Sequence, residues 1–145
     1  TYFNPKKVND YLLCDGGLWA NNPSLAAYID AIYRLKIDPS IIRILSLGTG
    51  HSRIAYGLKY KRNWGFLSGW KSIEFINFIM SLQSQSIENY LNLLLNENHI
   101  LRLNFESDLS LPLDDCTKID DLISRADKEF TYNSERIKKF LNSEV

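Results

Sequence analysis

The sequence predicts an α/β fold, and three observations carry that prediction. A β-branched, almost wholly apolar run, Ile41-Ile42-Arg43-Ile44-Leu45-Ser46-Leu47, stops at Gly48-Thr49-Gly50, the pattern of an interior strand that ends in a tight turn. Ahead of it, Leu25, Tyr28 or Ile29, and Ile32 recur at helical spacing. Ahead of that again, Tyr11-Leu12-Leu13-Cys14 is a short apolar run halted by Asp15-Gly16-Gly17, a turn signal. Strand, helix and strand in that order predict a parallel unit.

Taken in order, the run at 11–14 reads as a buried strand whose end is a tight loop. Asn22 is a helix N-cap candidate and Pro23 suits the first helical position, where its missing N–H is no loss. That helix should end before Asp38-Pro39. The strand at 41–47 is apolar enough to be covered on both faces. Residues 51–70 show no period and interleave Arg53, Lys59, Lys61 and Arg62 with Tyr56, Tyr60, Trp64, Phe66 and Trp70, so they read as a long basic-aromatic loop. From about 71 to 97, Ile73, Ile76, Met80, Ile87, Tyr90 or Leu91, and Leu94 predict a long helix, kinked near the polar stretch 81–86. His99 to Phe105 alternates as a strand. Leu109 to Cys116 is a loop containing Pro112, and two helices follow, about 118–128 and 134–141.

The chain has 145 residues, 45% hydrophobic and 23% charged, which is ordinary globular composition and enough for one domain with a real core. Seventeen basic residues balance seventeen acidic ones, so no net field steers the chain onto nucleic acid. The balance is not local: residues 1–72 carry ten Lys/Arg against four Asp/Glu, and residues 73–145 carry seven against thirteen. Cys14 and Cys116 form no CxxC pair and fit neither a disulfide framework nor a zinc site, so both read as buried thiols. The apolar stretches fall short of the roughly 20 residues a membrane span needs. No leader peptide is visible and position 1 is not Met, which together suggest a fragment of a longer chain.

Asp15 is the residue most open to chemistry. It sits at a strand's end, where catalytic groups of open α/β sheets collect, and Gly16 and Gly17 allow positive φ and close approach, so its carboxylate can be aimed at a neighbour. Asp-Gly is also a common turn dipeptide, and the spacing alone favours the simple turn over a chemical role. Gly48-Thr49-Gly50 lacks the Lys-Ser/Thr of a phosphate loop and reads as a tight turn without a ligand. His51 and His99 are the only histidines and are too far apart in sequence for a helical metal pair. No G-x-S-x-G occurs, so a serine nucleophile is not supplied by these residues. Asp114, Asp115, Asp120 and Asp121 fit no calcium loop, and the last two suit the first turn of a helix. The basic-aromatic loop is either a rim that meets anionic lipid headgroups or a solvated connection.

Read together, Thr1-Tyr2-Phe3-Asn4-Pro5, then Asp15-Gly16-Gly17-Leu18-Trp19-Ala20-Asn21-Asn22-Pro23, then Ile44-Leu45-Ser46-Leu47-Gly48-Thr49-Gly50 resemble, in order and spacing, the C-terminal half of patatin-like phospholipases. Leu101-Arg102-Leu103 and Leu113-Asp114-Asp115 resemble that family's later strand and turn more loosely. The resemblance implies a three-layer α/β/α fold, with residues 1–145 as the C-terminal part of a single domain. It also implies a lipid acyl-ester hydrolase with a Ser-Asp dyad, in which Asp15 is the catalytic base, no cofactor or metal is used, and the substrate is a phospholipid or other acyl-ester lipid met at a membrane surface. A carboxylate can act as such a base where partial burial raises its proton affinity. The family's oxyanion loop and nucleophile elbow are absent from this sequence, so the fragment alone is expected to be inactive, and to expose apolar surface where the missing part packs. The free thiols and absent leader point to a cytoplasmic, membrane-associated protein. A non-catalytic membrane- or protein-docking module, with Asp15 only a turn residue, is the alternative. Nucleotide binding at Gly48-Thr49-Gly50 lacks supporting residues.

Overall fold

A computed structural model describes residues 4–52, 73–107 and 115–142. The architecture is mixed α/β. Two short strands, β1 (Lys6–Val8) and β2 (Tyr11–Leu13), form an antiparallel hairpin. Its two-residue turn places Asn9 at φ 54°, a left-handed conformation that Asn tolerates better than most residues. A four-residue helical turn, α1 (Gly17–Ala20), and the helix α2 (Ser24–Tyr33) follow. After a 3₁₀ turn at Pro39–Ile41 comes β3 (Ile44–Leu47), then β4 (His51–Ser52). The long helix α3 (Ile73–Leu94) leads to β5 (Ile100–Leu103) and β6 (Glu106–Ser107). A 3₁₀ turn at Cys116–Lys118 opens the last helix, α4 (Ile119–Asn142).

The parallel unit exists, but its partners differ from those the sequence suggested. β3 pairs in parallel with β5, Ile44 opposite Ile100 and Leu47 opposite Leu103, so α3 lies in the crossover. β2 belongs instead to the hairpin, and it is not buried: Tyr11, Leu12 and Leu13 are all exposed. β3 is covered on one side only. Its Ser46 is buried and Ile44 half-buried, while Leu45 and Leu47 face outward and are exposed, the period-two consequence of having cover on a single face. The core gathers Leu91 of α3, Leu101 of β5 and Phe140 of α4, with the Arg43 guanidinium 4.3 Å above the Phe140 ring.

β4 continues β3 and pairs in parallel with β6, His51 opposite Glu106. Three residues, Gly48 to Gly50, thus lie opposite two, Asn104 and Phe105, which makes the glycine turn a bulge in a parallel ladder. The first two residues of the expected basic-aromatic loop are therefore strand; its positions 53–70 lie outside the described residues.

α3 runs without interruption through 81–86, so the expected kink is absent. Its inward face is Met80, Ser84, Ile87 and Leu91, half-buried to buried, whereas Ile76 and Leu94 are exposed. α4 is one helix rather than two. No Gly or Pro separates its halves, and the polar residues that suggested a break bond back into the helix: Thr131 Oγ1 donates to the Asp127 carbonyl and Asn133 Nδ2 to the Glu129 carbonyl. Asp120 and Asp121 occupy its first turn, and Asp121 pairs with Arg125 at 2.8 Å. Both thiols are exposed, Cys14 because it trails the open hairpin and Cys116 because it starts the 3₁₀ turn. Among the described residues, no helix is long and apolar enough to cross a membrane.

One titration prediction arises here. Asp115 accepts hydrogen bonds from Thr117 Oγ1 at 2.6 Å and from the Thr117 N–H at 3.0 Å. The Thr117 hydroxyl most of all, then the Thr117 amide and the Lys118 charge, hold its carboxyl below the usual carboxylate range. A carboxyl lowered by folding adds stability above its unfolded value of about 3.9 and loses it as pH falls through the lower folded value. Thr117→Val is expected to move the Asp115 midpoint up toward the ordinary value, read by carbon-detected NMR titration. An unmoved midpoint would remove the hydroxyl as the cause.

Candidate active site

Asp15 stands between the end of β2 and the first residue of α1 and is half-buried. Its Oδ1 accepts the Gly17 N–H at 2.9 Å, and its carbonyl accepts the Leu18 N–H at 3.2 Å. The residue therefore closes its own turn, in the manner of Asp at the start of a helix. Oδ2 has no hydrogen-bond partner among the described residues.

The glycines of this turn act differently from the sequence expectation. Gly16 has φ −63° and ψ −22°, and only Gly50 among the described glycines has positive φ. Gly16 also has open space where a Cβ would stand. Gly17 matters for approach rather than for φ: a Cβ there would lie 3.3 Å from Asp15 Oδ1 and 3.7 Å from Met80 Cε.

Behind the turn, Asn22 is almost fully buried. Its Oδ1 accepts from both the Ser24 N–H (3.2 Å) and the Ser24 hydroxyl (2.7 Å), which ties down the entry to α2. Pro23 sits one position earlier than expected, directly before the first residue of α2. Ser24 Oγ lies 2.8 Å from Ser46 Oγ on β3, and Arg102 Nη1 on β5 donates to that same Ser46 oxygen at 2.7 Å. This polar chain links the Asp15 loop to both strands of the parallel pair, Ser46 and Arg102 being direct partners in the ladder. Arg102 Nε is buried without a partner. Sequence reasoning singled out Asn22 as a cap, but it did not find Ser24, Ser46 or Arg102, because a polar residue in an apolar strand carries no sign of what it faces.

The Gly48-Thr49-Gly50 turn spends its amides on protein. The Gly48 N–H donates to the Leu103 carbonyl at 2.8 Å, and the Gly50 N–H to Asn104 Oδ1 at 2.9 Å. It is a bulge packed on Asn104 and Phe105. His99 Nδ1 lies 2.9 Å from the Ile42 carbonyl, so it anchors the start of β3 and does not approach Asp15. An open groove of about 910 Å³ runs beside these elements, lined by Asn21 and Pro23 of the Asp15 loop, Leu45 and Leu47 of β3, and Phe78 and Leu82 of α3.

No family model matches the chain, and no solved structure matches it. A curated protein, a cUMP-AMP-activated phospholipase of Escherichia coli, is 28% identical to it over 93 residues. That alignment covers 63% of this chain and 28% of the relative, so the chain spans little more than a quarter of the relative's length. The chain is thus distantly similar, over part of its length, to a phospholipase.

Proposed function

We propose that residues 1–145 are the aspartate-bearing, C-terminal part of a patatin-like lipid acyl hydrolase, with Asp15 as the base of a Ser-Asp dyad. The observation that carries this reading is the ordered motif set, Asp15-Gly16-Gly17 through Asn21-Asn22-Pro23 and then Leu45-Ser46-Leu47-Gly48-Thr49-Gly50, in a chain distantly similar to a phospholipase. The geometry around Asp15 is consistent with the role. One carboxylate oxygen is held by the Gly17 N–H, which fixes the plane of the group, and the other has no partner among the described residues. In the reaction, Asp15 takes the serine Oγ–H proton as Oγ bonds to the ester carbonyl carbon. The bond to the leaving alcohol then breaks, that proton passes to the alcohol, and water releases the fatty acid by the same route. The groove beside the loop falls within the usual size of ligand sites; its lining mixes Leu45, Leu47, Phe78 and Leu82 with polar residues such as Glu88 and Arg102 and does not include Asp15 itself, so it supplies apolar surface near the base rather than around it. The substrate class is an acyl-ester lipid reached at a membrane surface, and the three-layer sheet is completed by a segment that also carries the nucleophile.

Fluorophosphonate labelling of the natural full-length protein, with mass spectrometry of the labelled peptide, tests this. A single labelled serine outside the sequence described above is the expected result. A folded full-length protein that takes no label would overturn the hydrolase reading and leave a docking module.

A further inference from the structure

The carboxylate of Asp15 is oriented through α1, and α1 cannot hold itself. Four residues are far below the length at which a helix is stable alone, and the one side-chain bond at its start comes from Asp15 itself. The carbonyl of Trp19, at its C-terminal end, is one of the groups that the helix itself leaves unmatched, and the N–H of Asn21 lies beside it. Both are met by one side chain. Gln83, 64 positions along the chain from Trp19 and on the face of α3 next to Met80, donates through Nε2 to the Trp19 carbonyl at 2.5 Å and accepts the Asn21 N–H on Oε1 at 3.1 Å.

A primary amide suits this place because it presents a donor and an acceptor side by side, as a neighbouring peptide group would. The two bonds together also fix which end of the amide is oxygen. One turn earlier on α3, Met80 Cε comes within 3.7 Å of the space beside Gly17. α3 therefore holds α1 at its C-terminal end and lies close beside its start, where the Gly17 N–H holds Asp15 Oδ1.

We infer that Gln83 is a positioning residue for Asp15, setting the direction of its carboxylate through the α1 turn. The inference rests on the reading of Asp15 as the catalytic base. It assigns a purpose to one residue of the polar stretch 81–86: Gln83 gives α3 a hold on the turn.

The test uses the full-length protein, p-nitrophenyl butyrate as the ester, and Gln83→Leu, which keeps size and helix propensity. Misplacing a catalytic group by about 1 Å can cost on the order of 100-fold in rate. Gln83→Leu is therefore expected to lower kcat by about 10- to 100-fold with KM little changed, and to speed hydrogen exchange at the Gly17 and Asn21 amides. Gln83→Glu, which keeps the acceptor for Asn21 and loses the donor for Trp19, should fall between the two, and it serves if the leucine variant does not fold. Wild-type hydrolysis that is lost in Asp15→Asn but unaltered in both Gln83 variants would overturn the inference while leaving the hydrolase reading intact. A folded wild type with no esterase activity would overturn both.

Discussion

Asp15→Asn is expected to lower acyl-ester turnover by the full-length protein about 100- to 10,000-fold, the span associated with a positioned general base. The substitution isolates basicity from structure. Asn keeps a side-chain oxygen that can accept the Gly17 N–H, as Oδ1 of Asp15 does at 2.9 Å, so the turn retains its closing bond. What it removes is the lone pair able to take a proton from a serine hydroxyl. Since that transfer belongs to the transition state, kcat and kcat/KM should fall together with KM nearly constant. Steady-state kinetics on a chromogenic ester, alongside a melting curve, checks both halves. Full turnover in a variant that melts like wild type would strip Asp15 of any chemical role and leave it as the residue that shapes a turn.

The largest expected loss of stability is at Gly50. Its φ is +85°, and a Cβ there would lie 2.3 Å from the Phe105 ring. The Arg125 guanidinium stands 5.8 Å from the ring centroid, and β6, which fixes the backbone, begins at the next residue. Left-handed backbone costs a non-glycine residue about 1–2 kcal/mol, and overpacking typically adds about 1–3 kcal/mol. Gly50→Ala should accordingly destabilise the protein by about 2–5 kcal/mol. Gly16→Ala is the matched control, with φ −63° and open space around the new methyl group, and should change stability little. Chemical denaturation of the two variants decides the matter: equal midpoints would show that the bulge gives way and that Gly50 is not required by the packing.

The local elements were legible because they are written in periodicity and punctuation. The helix from Ser24, its end before Asp38-Pro39, the extent of α3 and the strand around Ile100 to Leu103 all follow from spacing of apolar residues and from where Gly and Pro fall. Pairing was not legible. That β3 lies against β5 depends on contacts between distant segments, while β2 pairs locally with the lysine-bearing β1, and an apolar run suggests burial without stating by what. The same limit explains β2 and the thiols, whose apolar character predicted burial that the described residues do not supply. At the site, the position of Asp15 in a turn was readable from Asp-Gly-Gly. Its support was not: Gln83 looks like any polar residue on a helix, and the Ser24, Ser46 and Arg102 chain joins three elements that the sequence keeps apart.

The reach of Gln83 also sets an order of assembly. A nascent chain emerges N-terminus first at about 5–20 residues per second, so the 64 positions between Trp19 and Gln83 separate their synthesis by about 3–13 s. During that interval the α1 segment has been made but its clamp has not, and β3 waits nearly as long for β5, whose Arg102 follows Ser46 by 56 positions. A parallel pairing of such separation must close a long loop before any contact repays it, which makes it slow to form. The Asp15 turn is thus translated before the groups that hold it, so a chain that stops before α3 carries the aspartate present but unaimed.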